Sequence, residues 1–461
     1  MKKICILLSF LMLFCFTACQ TEVEKPQGSE STVSKEGTES TENTASTEST
    51  ESTESTVSTE STESIESTES TDNDENTENE TDKIRVLTLE KALHTYHEWV
   101  DDLDNALVKS EHTIITLGQE DAKAFPEMAE VLSQMATMQE NAMLDEFDNL
   151  VSTAKFELDL NRADFETYTS LLDVQVRRAD SLVLSLLSDS YADYGGIENF
   201  RAFHGRNYDT QSGKELLLTD VVKNVNNDLA KAVEKELVSH MLIGEFHTKS
   251  TVEDYFANTP LDGFSWTLDY IGITFYFLPG ELSEEGATTA TVTFAEYPEL
   301  FYEKYVSAPE EYAVELPIDN PFYTNLDADD ALEEISVSGY REDERDCYTK
   351  YGVYTDTDGQ YYEEDCFAYD YHPYYVKSAN GDYLYLFCED FEEGSRYMKL
   401  VVLSLNDSGS VTKNEEMNVS SSWLVDNKFT VPTNPNSFIF DDADNDTEGK
   451  IFSVVNGTPI E

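Results

Sequence analysis

Residues 92–117 read ALHTYHEWVDDLDNALVKSEHTIITL, with polar and apolar side chains alternating on both sides of Asp101-Asp102-Leu103-Asp104-Asn105. Alternation sends successive side chains to opposite faces of a strand, and the Asp/Asn cluster supplies a turn. The segment is therefore expected to be a β-hairpin. From Glu120 to about Ala154 the period changes: Met128, Val131, Leu132, Met135, Met138 and Met143 recur at helical spacing, with Phe125-Pro126 near the start. A helix laying this Met and Leu stripe on a sheet is expected.

Further along, Val174 to Leu187 is a β-rich run, interrupted at Tyr194-Gly195-Gly196 by the backbone freedom a turn requires. Phe200 to Tyr208 resumes strand-like alternation, and the turn at Asp209 to Lys214 leads to Thr219, which can cap a helix carrying Val222, Val225, Leu229, Val233 and Leu237. A short helix is expected near Thr251 to Ala257, then strands at Phe264 to Leu268, Ile273 to Leu278 and Thr289 to Ala295. Beyond Ala313 the chain is rich in Tyr and Asp, with strand-like runs at Glu334 to Val337, Tyr348 to Tyr354, Tyr361 to Tyr369, Tyr383 to Phe387 and Tyr397 to Leu405. The expected fold class is α+β, a largely antiparallel sheet with packed helices, followed by an all-β C-terminal region that is a meander or propeller-like.

Several phrases look like a known family: Arg178-Ala179-Asp180, Tyr194-Gly195-Gly196, Asn207 to Asp220, Ile273 to Pro279 and Thr293 to Leu300. They resemble, in the same order, the extracellular domain shared by lysozyme-responsive anti-sigma factors and some bacterial cell-wall deacetylases. The resemblance covers roughly residues 90 to 305. Where the family often has Ala-His after the double glycine, this chain has Ile197-Glu198. The resemblance implies a ligand-binding or sensing module at the cell envelope, outside the catalytic part of the deacetylases.

The N-terminus opens with Met1-Lys2-Lys3 and an apolar run from Ile4 to Phe16, too short for a comfortable membrane span, which is the layout of a signal peptide. Phe16-Thr17-Ala18-Cys19 resembles a bacterial lipobox, so Cys19 is the expected lipidation site; cleavage as an ordinary secretory peptide is the alternative. Several acyl chains on one cysteine make a stable anchor, each buried methylene adding about 0.8 kcal/mol. Gln20 to Lys83 is built of Glu-Ser-Thr repeats with few large apolar side chains, hence an expected disordered, charge-extended tether. The expected organisation is a signal peptide over 1–18, the tether over 19–83, an α+β envelope sensing or binding domain over 84–306 and a Tyr/Asp-rich β domain over 307–461. The expected location is the outer face of the bacterial cytoplasmic membrane.

With 93 Asp plus Glu against 30 Lys plus Arg, the formal net charge is -63, so nucleic acids and anionic lipid surfaces are repelled. Such acidity points to a cationic partner, or serves only to keep an extracellular protein soluble. Three cysteines, Cys347, Cys366 and Cys388, follow the tether, and Cys347 and Cys366 flank the turn at Asp356 to Gly359 almost symmetrically, within reach of a cross-strand disulfide. His94 and His97, with Glu98 and Asp101, suggest a metal cluster on a helix but fall on opposite faces of a hairpin. Tyr371, Tyr374 and Tyr375 around Pro373 read as cross-strand packing or as a carbohydrate- or peptide-binding face.

Oxygen-bearing side chains alternate at Asn325, Asp327, Asp329 and Glu333, a spacing that resembles calcium loops, although Asp330 stands where such loops want glycine. Asp442, Asp444 and Asp446 repeat the pattern without a distal carboxylate. A solvated acidic turn is the alternative at both, and calcium is the one cofactor considered. The leading functional expectation is a non-catalytic, lipid-anchored protein that binds a cationic wall-degrading protein such as lysozyme, or a wall component. An enzyme acting on peptidoglycan or glycans and a structural or adhesive surface protein are the alternatives.

Overall fold

The expected hairpin forms: β1 (Leu89–Glu98) and β2 (Val108–Leu117) pair antiparallel from Leu89 opposite Leu117 to Glu98 opposite Val108. The computed structural model describes residues 83–100, 103, 105–160, 162, 165–195, 200–239, 249–282, 288–318, 320–326, 332–342, 347–356, 360–368, 370–392, 395–419, 428–436, 438–440, 450–455 and 458–460.

Helix α1 (Gln119–Ala124) follows, then α2 (Pro126–Leu160), which runs past the expected end at Ala154. The break falls at Phe125 because Pro126 has no N–H to donate and disfavours helical backbone in the residue before it; Phe125 accordingly sits at φ -127°, ψ 65°. Along α2 the residues Met128, Leu132, Met143, Leu150, Ala154 and Leu158 are buried. The helix carries the chain across to β3 (Tyr168–Ala179), which pairs parallel with β2. A parallel pair needs such a crossover, since a tight turn cannot connect it.

The run from Val174 to Leu187 is two strands, not one. It turns at Asp180-Ser181-Leu182 into β4 (Val183–Tyr194), because Asp180 Oδ1 accepts hydrogen bonds from the backbone N–H of Leu182 at 2.7 Å and of Val183 at 2.9 Å. A short polar side chain capturing nearby backbone donors in this way is a turn former. Next comes β5 (Phe200–Asp209) and a short helix α3 (Leu218–Val221). Its start is fixed by Asp220, whose Oδ2 accepts the Leu217 N–H at 2.9 Å, and not by Thr219. Val222 leaves the helix to bridge Phe301, and a π-helical turn (Val225–Leu229) leads into α4 (Ala230–Ser239). Then come α5 (Lys249–Asn258), β6 (Trp266–Leu268), β7 (Gly272–Phe277) and β8 (Thr288–Thr293). Leu229, Val233, Leu237, Val252 and Phe256 from the helices close a core with Ile273, Phe275 and Val292 from the strands. Asn207 joins this layer to the first sheet: its Oδ1 accepts the Leu268 N–H at 2.8 Å and its Nδ2 donates to Trp266 O at 2.9 Å.

After a 3-10 turn (Glu303–Tyr305) the regular elements among the described residues are all strands: β9 (Tyr312–Glu315), β10 (Pro321–Thr324), β11 (Glu333–Glu342), β12 (Cys347–Thr355), β13 (Gln360–Ala368), β14 (Asp370–Ser378), β15 (Gly381–Glu392), β16 (Ser395–Leu405), β17 (Val411–Val419), β18 (Lys428–Val431), β19 (Phe438–Phe440), β20 (Lys450–Val455) and β21 (Thr458–Ile460). Two meanders, β10-β11-β12-β13 and β17-β16-β15-β14 with β9 at its edge, bury Ile335, Val337, Tyr351 and Val353 against Tyr375, Leu384, Leu386 and Leu403. This is the α+β arrangement with a β-rich C-terminal region expected from the sequence.

Residues Lys83–Glu461 form one unit, and the regions 84–306 and 307–461 are interleaved within it. Strand β18 adds to the edge of β1, so the first sheet runs β18-β1-β2-β3-β4-β5. Thr433 donates its hydroxyl to Leu87 O at 2.7 Å, and Arg177 Nη1 donates to Glu315 O at 2.8 Å. Tyr371, Tyr374 and Tyr375 are all buried, which removes them as a binding face. Neighbouring strand residues point to opposite faces, and here both faces of β14 are covered: Tyr375 joins the core between the meanders, while Tyr374 packs with Phe387 and Phe438.

Candidate binding surface on the long helix

Over its 35 residues α2 carries Glu127, Glu130, Glu140, Asp145, Glu146, Asp148, Glu157 and Asp159 against a single basic residue, Lys155. Its last turn has no basic side chain. Carboxylates near a helix C-terminus oppose the macrodipole, typically at about 0.3–1 kcal/mol each, so Glu157 and Asp159 do not serve helix stability. Lys155 pairs with Glu98 of β1 at 2.5 Å, drawing the last turns of α2 alongside the end of β1. Directly after these two paired residues in sequence stand Phe156, 62% exposed, and Trp99, 63% exposed; Leu160, one turn beyond Phe156, is 66% exposed. Phe156 and Leu160 share a helix face by their four-residue spacing. Behind them Leu150, Ala154 and Leu158 pack with Leu107, Val108 and Tyr168, so the apolar residues are displayed from a firm base.

Beneath the middle of α2 lies a titratable cluster. His94 and His112 are cross-strand partners with rings stacked 4.9 Å apart at 24°, Tyr96 stacks on His112 at 5.7 Å, and Phe147 of α2 lies 5.8 Å from Tyr96. Glu140 reaches within 3.9 Å of His94 Nδ1. Burial, reinforced by His94, pushes the His112 imidazole down to about 4, while burial raises the Glu146 carboxyl to about 7. Stacked imidazoles aim their nitrogen lone pairs along separate planes, so this pair does not converge on one cation. His97 is exposed, on the other face of β1, with its ring 6.1 Å from Trp99. Among the described residues no group of three His, Cys, Asp or Glu side chains is placed to hold a metal. His112 escaped the sequence reading although the signal was present: a hairpin centred on Leu103 sets it opposite His94.

Compared with known proteins, the chain matches no family model and no curated protein. Among solved structures it is similar to a DUF3298 family protein from Bacteroides fragilis, with 11% identity, a TM-score of 0.36 and coverage of 48% of this chain and 94% of that one. It is also similar to a DUF3298 family protein from Pseudomonas aeruginosa, with 14% identity, a TM-score of 0.33 and coverage of 49% and 98%.

The other sequence candidates fall as follows. Cys347, Cys366 and Cys388 are free thiols. The expected cross-strand bridge is absent because the β12–β13 register that pairs Tyr354 with Tyr361 and Lys350 with Asp365 leaves Cys366 two residues out of line with Cys347, and the shift between Tyr348 and Lys350, which sets Tyr348 opposite Ala368, widens the offset. Of the first acidic loop, Glu333 is buried and its Oε2 accepts the Leu326 N–H at 2.6 Å, tying the two ends of the loop together. Asn325 stands just before it at the end of β10; Asp327 and Asp329 lie outside the described residues, as do Asp442, Asp444 and Asp446 and the lipidation candidate Cys19.

Proposed function

We propose that this chain is an envelope-associated binding protein that displays the α2 surface to a cationic wall-degrading protein such as lysozyme. One observation carries the reading: Trp99, Phe156 and Leu160 are each more than 60% exposed beside a helix with eight carboxylates and one lysine. An apolar centre supplies desolvation energy and a charged surround supplies steering and partner choice, which is the usual division of labour in an interface. The family resemblance of residues 90 to 305 supplies lysozyme as the named candidate. The test is retention of lysozyme by the immobilised intact protein at physiological salt, where exposed charges more than about 8 Å apart are largely screened. Salt-resistant retention is expected, and its absence removes the lysozyme reading.

The location follows from Cys19. Changing Cys19→Ala should leave the protein unprocessed or release it from the membrane fraction; a variant processed and membrane-bound like the parent would place the anchor elsewhere. Calcium remains a proposal for the loop beginning at Asn325. Thermal melts in millimolar calcium, in chelator and in magnesium should then show a calcium-specific rise that Asp327→Ala abolishes, because a ligand held only by the folded state raises its melting temperature. Identical melts would remove the site.

A further inference from the structure

The outer face of the four-stranded meander bears a tyrosine platform. Tyr354 and Tyr361 are cross-strand partners on β12 and β13, 38% and 47% exposed, and Tyr340 on β11, 46% exposed, shares a hydroxyl–hydroxyl hydrogen bond of 2.6 Å with Tyr361. Gly352 explains how Tyr361 lies. A Cβ built at Gly352 would stand 2.3 Å from Tyr361 Oη and 2.7 Å from its Cζ, so the ring is laid across the backbone of β12 where any other residue would lift it. The hydroxyl end of the ring lies over Gly352, and 47% of the residue stays exposed. Glycine inside a strand weakens it and is usual where another group must approach the backbone closely.

Beside the platform one lysine stands between two carboxylates and is hydrogen-bonded to one of them. Lys350, Glu363 and Asp365 share this face, with Lys350 Nζ 2.7 Å from Glu363 and 3.8 Å from Asp365. A cationic segment would have to compete with Lys350 for Glu363. A ligand with hydroxyls can instead donate to the carboxylates and accept from the ammonium without breaking the pair, while its apolar C–H face covers the ring. We propose that this platform binds an uncharged polysaccharide segment, stacking one pyranose face on Tyr361 with Tyr354 and Tyr340 flanking it. The site is separate from the α2 surface and independent of the reading placed on it.

The intact protein is titrated with three probes, the β-1,4-linked hexasaccharides of N-acetylglucosamine and of glucose, and hexalysine. Saturable binding of at least one hexasaccharide is expected. Tyr361→Ala should weaken it by about tenfold or more, the usual loss when a central aromatic anchor is truncated. Gly352→Val should do the same by lifting the ring. Tyr361→Phe and Phe156→Ser should leave it within about twofold, since the stacking face and the sheet are kept. Because Gly352→Val can perturb the strand, its melting curve is taken beside that of Tyr361→Ala, an exposed truncation that decides the matter alone. Binding of neither hexasaccharide, saccharide binding equal in parent and Tyr361→Ala, or tyrosine-dependent binding of hexalysine instead would each overturn the proposal.

Discussion

Replacing Arg178 by methionine should lower the stability of the folded chain by about 3–5 kcal/mol, the range for removing one partner of a buried ion pair. The Arg178 and Asp180 side chains are both fully buried, with Nε 2.7 Å from Oδ2. The guanidinium also donates to Tyr305 O at 2.8 Å, Asp269 O at 3.2 Å and Ser307 O at 2.9 Å, and stacks 5.2 Å from the Tyr270 ring. It therefore ties the β3–β4 turn to the loop before β7 and to the segment that leads into β9. Methionine keeps the volume but leaves a buried carboxylate and three carbonyls without their donors, and unsatisfied buried groups cost more than hydrogen bonds return. Urea unfolding measures the loss. Asp180→Asn combined with Arg178→Met should cost less than the two separate losses added, because the stranded charge is gone; strict additivity would show that the two residues do not act as a pair.

Changing Glu146 to glutamine should stabilise the protein at pH 8 by about 2–3 kcal/mol and leave it unchanged at pH 4.5, on the scale of 1.36 kcal/mol per pKa unit. Burial raises the Glu146 carboxyl from 4.5 to about 7 in the folded chain. A group that holds its proton more tightly when folded favours the fold below its unfolded pKa and loses that contribution as pH rises through the folded value. At pH 8 the ionised carboxylate is therefore a full cost, which glutamine does not bear. His112 and His204 act in the opposite sense. Burial lowers both to about 4, assisted by His94 and Arg206 respectively, so their contribution is present above about pH 6.5 and is lost as pH falls towards 4. In the parent the contribution that Glu146 regains as pH falls from 7 to 4.5 partly offsets the loss from the two histidines. In Glu146→Gln only the histidine effect remains, so melting temperature should fall more steeply with acidification than in the parent. A parallel pH profile in the two proteins would show that the Glu146 carboxyl is not desolvated in the fold.

The hairpin and the long helix were legible because each has one buried face, and a single buried face writes its period into the sequence. Where both faces are covered the period vanishes. Strands β3 and β4 read as one apolar run because the turn between them is marked in sequence by no glycine or proline, only by Asp180, whose carboxylate captures the Leu182 and Val183 N–H groups. Strand β14 left cross-strand packing and a binding face both open, because its tyrosines alternate on two covered faces and Tyr374 and Tyr375 enter different cores. The β18–β1 pairing joins Leu89 to Val431 across most of the chain, and no local pattern reports a contact of that span. Phe156 and Leu160 were passed over for a related reason: the expected helix stopped at Ala154, the helix continues to Leu160, and both side chains lie off its buried stripe. Tyr361 was read as a strand residue, but the open space beside it depends on Gly352, which is its neighbour only once β12 and β13 are paired.

The most direct test of the α2 surface is the lysozyme dissociation constant of the intact parent protein, Trp99→Ser, Phe156→Ser and a charge control, Asp148→Asn, across a salt series. An apolar centre within an acidic surround predicts that each serine variant weakens binding by about tenfold or more at every salt concentration. The charge control should change chiefly the association rate and the salt slope. Serine variants that bind like the parent, or binding that disappears for all four proteins once salt is raised, would contradict the account.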